Sequence, residues 1–419
     1  MRRIASISSQ AFFLALTSTA FSLAGAQATL PTLRLVEDLR IDGAALDISG
    51  IGDMVLRPGG GIVMVEPQDF RLRFFDGAGK EVARFGRRGE GPGEFSMGTV
   101  ISPVSAPVQL GLFGDTVWAY NARRFVLILP DGKLLRTIPQ PDKLPGGGGR
   151  GGARPEAGPD RVVTEFRPSA LVPGAYAMGS ISWGRLTPDR GVQDSENGYG
   201  IASQAGEITR VLAMVPSGGS SVSVSIGPNG WMVGSSVPFV ESVHRSVAKD
   251  GSRVALGVTT ITSDKQAALR ITVVGTSGDT VFSRDYAFAP VPVTKQMADS
   301  ALAVRMRSYR PGPASKVPPS VSPAVADELE SKLRAAMPKW MSAYRSIAFG
   351  ADNSLWVYLP VTARGRQYLV LDARGNPVAI VDAPKGQSVA PHLSTRTVAW
   401  GVVYDADDLP SIVRYRVTR

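Results

Sequence analysis

The chain of 419 residues contains no cysteine and only two histidines, His244 and His392. The missing cysteine excludes disulfides, thiolate metal ligands and cysteine nucleophiles. Two imidazoles alone do not complete a zinc site. Beyond the N-terminal region no run of 18 apolar residues occurs, which argues against membrane-spanning helices. What is present is a soluble globular composition, 43% hydrophobic and 20% charged, with 46 glycines and 31 prolines that predict many turns.

The N-terminal region has the layout of a secretory signal peptide at residues 1–28. Arg2 and Arg3 form a basic start, residues 11–20 are apolar, and two small-residue cleavage motifs follow within residues 24–28. The apolar stretch is short for a membrane span, so an uncleaved anchor is the less favoured alternative. The lack of a cysteine at the cleavage site excludes a lipoprotein. We therefore expect a secreted or periplasmic protein with no transmembrane anchor after signal cleavage.

The formal net charge of +10 is spread thinly along the chain. Two of the positive charges belong to the expected signal peptide, and others form short scattered pairs such as Arg87-Arg88 and Arg123-Arg124. Nucleic-acid binding needs a concentrated basic face, so no nucleic-acid partner is predicted. The expected partner is a protein, a peptide or a cell-envelope glycan, and the chain is expected to be a monomer.

A pattern of an alternating apolar strand, a tight turn and a second alternating strand recurs five times. The copies lie at residues 72–82, 125–135, 199–208, 271–281 and 368–378. Period-two alternation around a Gly/Asp turn predicts a β-hairpin, because glycine readily adopts the positive φ that such turns need. Five copies in one chain indicate a repeat architecture.

A further element, a turn followed by a strand, precedes several of these hairpins. Its copies lie at residues 60–65, 114–120, 250–255, 352–358 and 397–402. Element and hairpin together make a meander of about four strands, which is the layout of a propeller blade. Six units are predicted, at residues 42–95, 96–145, 160–215, 240–290, 342–386 and 387–419.

The last unit lacks a clear final strand, whereas residues 33–41 form a strand-like piece outside any unit. We predict that this piece completes the last blade, because closing the ring removes exposed sheet edges. The predicted fold is all-β: one six-bladed β-propeller domain over residues 29–419, closed by an N-terminal strand, with a small α-helical insertion between late blades.

Two stretches do not fit a blade. Residues 141–160 form a Gly/Pro-rich loop. Residues 294–341 are predicted to be the helical insertion, whose first residue caps a helix over 295–308 and whose second helix covers 325–337. We expect this insertion to lie over one face of the ring. Residues 216–240 are assigned to a blade.

Residues 69–95 resemble an NHL repeat, in which a strand ends in a Phe-Gly pair and a Gly-Pro-Gly-rich loop leads to the next blade. The loop here is 89–93, and Phe95 is expected to be buried between blades. Later repeats lack this loop, and Ser-Met-Gly follows Phe95 where the family has proline. The chain is similar to secreted bacterial six-bladed propellers of the NHL-repeat and TolB-like groups. That resemblance implies the fold, and most such proteins lack an assigned activity.

Some propellers of this kind are enzymes. Lactonase-type propellers hold a divalent ion in the central channel through acidic and amide side chains, and Glu66, Asp69 and Glu165 are the acidic candidates here. The two histidines stand in unrelated contexts, and neither a Gly-x-Ser-x-Gly elbow nor a P-loop occurs. Loop 89–93 does not match a dinucleotide fingerprint, and residues 405–408 are expected to form a turn rather than a calcium loop.

Trp118 and Trp356 occupy equivalent strand positions and are expected to pack between blades, while Trp183 breaks the pattern and is the better candidate to face a ligand. No catalytic, cofactor-binding or metal-binding residue is assigned, and a divalent cation is the only cofactor considered. The predicted function is that of an exported, non-catalytic recognition scaffold. The alternative is a divalent-metal-dependent, lactonase-like hydrolase or lyase with its site in the central channel.

Overall fold

The structure, a computed structural model, describes residues 30–96, 108–144, 161–187, 191–215, 221–226, 231–240, 243–264, 266–310, 321–342, 344–359, 365–384 and 387–419. In these ranges the chain is all-β and propeller-like, with few helices. None of the helices found there is long and apolar enough to cross a bilayer. The expected signal peptide and most of the expected loop 141–160 lie outside the described residues.

After a first strand, β1 (Thr32–Ile41), the chain forms four antiparallel sheets of four strands each, in which chain neighbours pair in order. Sheet I contains β2 (Met54–Leu56), β3 (Ile62–Glu66), β4 (Arg71–Phe75) and β5 (Glu81–Phe85). Sheet II contains β6 (Gln109–Phe113), β7 (Thr116–Asn121), β8 (Arg124–Ile128) and β9 (Leu134–Pro139). Sheet III contains β10 (Arg161–Leu171), β11 (Ala177–Thr187), β12 (Gly191–Ala202) and β13 (Ile208–Val215). Sheet IV contains β16 (His244–Val247), β17 (Arg253–Ile261), β18 (Ala267–Gly275) and β19 (Thr280–Phe288).

The C-terminal part of the chain forms one eight-stranded sheet together with β1. Run V of this sheet contains β22 (Ser346–Phe349), β23 (Leu355–Tyr358), β24 (Gln367–Leu371) and β25 (Pro377–Asp382). Run VI contains β26 (Ser388–Ala390), β27 (Val398–Tyr404), β28 (Pro410–Thr418) and β1. Strand β1 pairs antiparallel with β28 and, over residues 32–34, parallel with β25. The pairing with β28 gives the last predicted unit its fourth strand, as expected of residues 33–41.

All five predicted repeat hairpins are confirmed, and each joins the third and fourth strands of a sheet or run. The hairpin between β4 and β5 shows why these residues turn the chain. Asp76 Oδ1 accepts hydrogen bonds from the backbone N–H groups of Ala78 and Lys80, each at 2.9 Å. Gly79 then adopts a φ of 81°, which glycine tolerates best, and the strand register shifts beside the turn.

Hydrophobic packing holds the sheets side by side in chain order. Six clusters of buried side chains each combine two successive members of the series: I with II, II with III, III with IV, IV with V, V with VI, and VI with I. Burial of apolar surface is the dominant favourable term in folding. The cluster of VI with I contains Ile41, Trp400 and Met64, so the two ends of the chain meet through side chains as well as through strand pairing.

Two insertions flank sheet IV in the sequence. The first is a separate hairpin of β14 (Ser221–Ile226) and β15 (Trp231–Ser236). The second contains helices α1 (Lys295–Met306) and α2 (Pro323–Ala336), enclosed by the paired short strands β20 (Val291–Pro292) and β21 (Trp340–Met341). Both predicted helices are present, with α2 beginning two residues earlier than expected.

The hairpin and the helices share a small core of their own. Thr294 caps α1, as predicted, because its side chain accepts a hydrogen bond from the Met297 N–H. Helix α2 packs on both β14 and β15, and Leu329 and Leu333 are fully buried there. The assignment of residues 216–240 to a blade is therefore wrong. The alternating pattern does produce strands, but a helix about 100 residues later in the sequence covers their apolar face.

Candidate functional site

The first strands of successive sheets lie next to one another. Strand β2 contacts β6, β6 contacts β10, and β16 contacts β22. The short 3-10 helix Pro391–Leu393, which follows β26, touches both β2 and β22. The blades of a propeller surround a central channel, which their first strands line. Charged residues beside these strands are therefore the candidates for an axial site.

Three such residues meet and are named the axial cluster: Asp53 before β2, Lys249 after β16, and His392 in the 3-10 helix. Lys249 Nζ donates to Asp53 Oδ2 at 2.5 Å, and the same oxygen accepts the Leu110 N–H at 2.8 Å. Asp53 Oδ1 accepts the Met54 N–H at 2.9 Å and lies 3.8 Å from His392 Nε2. One carboxylate thus connects sheets I, II and IV with run VI.

The surroundings of His392 favour its neutral form. Burial is the main reason that the pKa of His392 falls to about 4; the Lys249 ammonium acts in the same direction and Asp53 opposes it. At neutral pH the axial cluster therefore contains one ion pair and one neutral imidazole.

The space at the axial cluster is small. A cavity of about 30 Å³ lies among Leu112, Asn353 and His392. The Leu112 N–H donates to the Lys249 carbonyl oxygen at 2.8 Å, so the turn after β16 is bonded directly to sheet II. A cavity of this size holds about one water molecule, whereas small-molecule sites occupy roughly 300–1,000 Å³.

The donor set of the axial cluster does not fit a divalent cation. Hard divalent ions take several oxygen ligands, and the Asp53 carboxylate is already bonded to an ammonium group. A cation at this carboxylate would have to displace Lys249 or lie beside its like charge. Within the described ranges, no group of three or more His, Asp or Glu side chains is arranged to hold a metal ion.

Of the three acidic residues singled out from the sequence, Glu66 and Asp69 share one arginine, Arg71, whereas Glu165 pairs with a different arginine in sheet III. Glu66 is fully buried in sheet I, and its Oε2 accepts from Arg71 Nε at 2.5 Å. Asp69 is exposed and binds the same arginine at 2.8 Å. Glu165 lies in sheet III, where Arg167 Nε donates to it at 2.6 Å. Each carboxylate serves an ion pair within its own sheet.

Glu66 also belongs to a buried ion-pair network in sheet I. Arg73 is fully buried; its Nη1 lies 3.6 Å from Glu66 Oε1, and its Nη2 donates to Glu81 Oε2 at 2.6 Å. Both terminal nitrogens of Arg73 also donate to the Leu46 carbonyl oxygen at 3.0 Å. The network therefore fixes the segment that follows β1 onto sheet I, which is an architectural role.

The two histidines lie at opposite ends of β16. His244 is the first residue of that strand. His392 lies beside Lys249, which comes after the last residue of the strand, Val247. Burial lowers the pKa of His244 as well. The two imidazoles therefore do not form a joint site.

The tryptophans serve packing. Trp118 and Trp356 are fully buried, Trp118 in the cluster between sheets II and III and Trp356 in the cluster between runs V and VI, which confirms their predicted packing between repeat units. The expectation that Trp183 faces a ligand is wrong. Trp183 is 5% exposed and lies in the cluster between sheets II and III, because it shares its strand face with Ile181 two residues earlier.

The two loop motifs are closed by their own hydrogen bonds. In loop 89–93 a backbone N–H donates to Glu94 Oε2 at 2.8 Å, and the following Phe95 is fully buried between sheets I and II, as predicted. In residues 405–408, Asp405 Oδ1 accepts two nearby backbone N–H groups at 2.9 Å each, which confirms the predicted turn between β27 and β28. The glycine run at 146–152 lies outside the described residues.

A larger space, named the sheet-IV groove, lies over one face of β17, β18 and β19 near the β17–β18 turn. Its volume is about 820 Å³, and its lining includes Thr260, Gln266, Ala268, Arg270, Asp285 and Phe288. Arg270 and Asp285 face each other across the strands and form two hydrogen bonds of 2.7 Å. The opposite face of the same strands is packed against run V.

Sequence reasoning did not single out Asp53, Lys249 or the groove residues. Asp53 and Lys249 are 196 residues apart, so no local motif links them. The usable signal was positional: each lies beside the first strand of a predicted unit, where side chains approach the axis.

No family model matches this chain, and no curated protein matches it. It is similar to a solved structure of a DUF4221 family member from Bacteroides vulgatus, with 11% identity, a TM-score of 0.42, and coverage of 92% of this chain and 98% of that one. It is similar to regucalcin, a calcium-binding protein from Agrobacterium tumefaciens (11% identity, TM-score 0.32, 93% and 96% covered). It is also similar to a gluconolactonase from Xanthomonas campestris (8% identity, TM-score 0.30, 91% and 97% covered). At these identities and TM-scores the likeness carries no argument about activity.

Proposed function

We propose that this chain is an exported six-bladed β-propeller of the NHL-repeat and TolB-like kind that acts as a non-catalytic recognition scaffold for a protein, peptide or glycan. The six-bladed ring is supported by the six buried clusters, which follow one another from sheet I to run VI and back. In this interpretation runs V and VI are two blades, and the parallel pairing of β1 with β25 merges them into one sheet.

The observation that carries the non-catalytic part of the proposal is the state of the axial cluster. Asp53 is held by Lys249 and by two backbone N–H groups, and the adjacent cavity of about 30 Å³ is too small for an organic substrate. The axis therefore serves to connect the blades, and recognition falls to the wider outer surfaces.

A lactonase-like hydrolase or lyase is the second candidate. One observation favours it: Asp53, His392 and Asn353 gather at the same end of the axis. For this function Lys249 would have to leave the carboxylate so that a divalent cation could take its place.

The test is a thermal-shift titration of the mature chain with Ca²⁺, Mg²⁺ and Zn²⁺ against a chelator control. A ligand that binds only the native state raises the melting temperature. We expect no saturable rise with any of the three ions. A saturable rise with one ion that Asp53→Asn abolishes would contradict the proposal and establish the second candidate.

Export rests on the signal-peptide layout of residues 1–28. We expect mass spectrometry of the protein from the periplasm or the medium to find an N-terminus at Gln27 or Thr29, produced by cleavage after Ala26 or Ala28. A chain that retains Met1 and stays with the cytoplasmic fraction would contradict export.

A further inference from the structure

The sheet-IV groove has room for an organic ligand. Its volume of about 820 Å³ lies within the roughly 300–1,000 Å³ of small-molecule sites. Two cross-strand rows form its base: Thr260 is opposite Ala268, which is opposite Ala287, and beside them Arg270 is opposite Asp285. The small alanine side chains explain why the surface is hollow here.

The base of the groove is rigid. The three strands are joined by continuous ladders, and their other face is covered by run V through buried Leu269 and Tyr286. Tyr286 also donates from its hydroxyl group to the Gly375 carbonyl oxygen at 2.6 Å. A ligand lying on this face of the strands meets side chains; the ladders leave backbone groups unpaired along the outer edge of β19, the last strand of the sheet.

Among the described lining residues of the groove, the charges are balanced. Arg270 and Asp285 form a bidentate pair, and the hydrogen bonds from Arg270 hold the pKa of Asp285 below its usual value. The carboxylate and guanidinium keep further acceptor and donor positions that a ligand can use. A strongly ionic ligand would compete with this pair, whereas a neutral ligand can bond to both members.

The remaining lining is of two kinds. Thr260, Thr262 and Gln266 supply hydroxyl and amide groups around the β17–β18 turn. Val258 and Phe288 supply apolar surface, and the Phe288 ring is fixed by an edge contact with Tyr344 at 4.8 Å between ring centroids. A matching ligand carries hydroxyl groups at its edges, C–H surface on its faces and no net charge.

We propose that the sheet-IV groove binds a neutral oligosaccharide, which deepens the proposed recognition function and rests on it. A pyranose ring combines equatorial hydroxyl groups with apolar C–H faces, which is the pattern that the groove complements. An extended peptide is the less suitable occupant of this face, because its backbone amides could pair only along an outer edge of the sheet, such as that of β19, and not with the strands beneath the groove.

The test measures binding to the mature chain by calorimetry. The ligands are three neutral trisaccharides, chitotriose, cellotriose and maltotriose, and trigalacturonate is the acidic counterpart. Ala287→Trp fills the base of the groove. Ser283→Trp is the matched control, since Ser283 lies on the same strand and face and is exposed, but does not line the groove. Thr260→Trp is a second filling variant, and melting temperatures verify that all three variants fold.

We expect at least one neutral trisaccharide to bind saturably, both filling variants to weaken binding at least about tenfold, and Ser283→Trp to bind as the unaltered chain does. Three results would overturn the oligosaccharide inference and leave the scaffold proposal standing. They are no binding of any neutral sugar, binding of trigalacturonate alone, and binding that the filling variants leave unchanged. Cleavage of the bound sugar, followed by chromatography of the products, would instead contradict the non-catalytic function.

Discussion

The axial cluster and the sheet-IV groove differ in what satisfies their polar groups. At the axis, Asp53 is bonded to Lys249 and to two backbone N–H groups, and the cavity lined by Lys249 and His392 measures about 30 Å³. In the groove, Arg270 and Asp285 are paired with each other, with no further ionic partner among the described residues, and face an opening of about 820 Å³. The residue types that suggest chemistry therefore hold the molecule together, whereas ordinary threonines and alanines leave space for a ligand.

The largest expected loss of stability comes from replacing Arg73, the fully buried arginine whose hydrogen bonds hold sheet I to the segment after β1. Arg73→Ala removes a fully buried cation that bonds Glu81 and the Leu46 carbonyl oxygen and lies beside Glu66. Breaking such a buried network lowers the free energy of unfolding by about 3–5 kcal/mol. Urea denaturation measures this loss in the free energy of unfolding. Arg84→Ala is the control, because Arg84 is an exposed partner of Glu81 and its removal should cost less than about 1 kcal/mol. Equal losses for the two variants would contradict an architectural role.

The two ion pairs of the comparison are expected to respond differently to loss of the carboxylate charge. Asp53→Asn weakens bonds from a lysine and two backbone N–H groups, so we expect a loss of about 1.5–3 kcal/mol in the free energy of unfolding. Asp285→Asn removes an exposed pair and should cost less than about 1 kcal/mol. Chemical denaturation measures the free energy of unfolding of both variants. A larger loss for Asp285→Asn than for Asp53→Asn would contradict the expectation that the axial pair contributes more to stability than the groove pair.

The axial cluster also predicts a pH dependence at a higher pH than the groove, where the lowered pKa of Asp285 affects stability only below about 3.8. The pKa of His392 is about 4 in the folded chain, below its usual value near 6.5. Between these values the unfolded state binds more protons, so stability should fall as the pH drops from about 6.5 to 4, with a slope of up to about 1.4 kcal/mol per pH unit. His392→Asn should remove this part of the slope. An unchanged profile in the variant would show that His392 is not held neutral by its surroundings.

The smallest effect is expected in the groove itself. Thr260 is exposed and lines the opening, so Thr260→Ala should change the free energy of unfolding by less than about 0.5 kcal/mol. Thermal or chemical unfolding measures this change. A loss above about 1 kcal/mol would mean that the Thr260 hydroxyl group serves packing and not ligand contact.

The fold was predictable where its signals are local. Each repeat hairpin is recognisable from about ten consecutive residues. An Asp or Ser side chain caps the turn and a glycine supplies the positive φ, as at Asp76 and Gly79. The closing strand was predictable because residues 33–41 had the strand pattern and the last unit lacked one. The register of β1, including its parallel pairing with β25, depends on packing that no local pattern records.

The predictions failed where segments far apart in the sequence determine which strand faces and side chains pack together. The hairpin of β14 and β15 has the same alternation as a blade, but helix α2 covers its apolar face. Trp183 broke the tryptophan pattern, yet its strand face is buried between sheets II and III. Asp53 and Lys249 become partners only because their blades converge at the axis. Periodicity identifies strands, whereas the neighbours of each strand face come from the three-dimensional arrangement.

The central claim, that recognition belongs to the sheet-IV groove and not to the axis, is tested most directly by one paired binding measurement. The affinity for the best-binding neutral trisaccharide is measured for Ala287→Trp and Asp53→Asn at a temperature well below both melting transitions. The account predicts a loss of at least about tenfold for Ala287→Trp and an unchanged affinity for Asp53→Asn. Abolished binding in Asp53→Asn together with full binding in Ala287→Trp would contradict it.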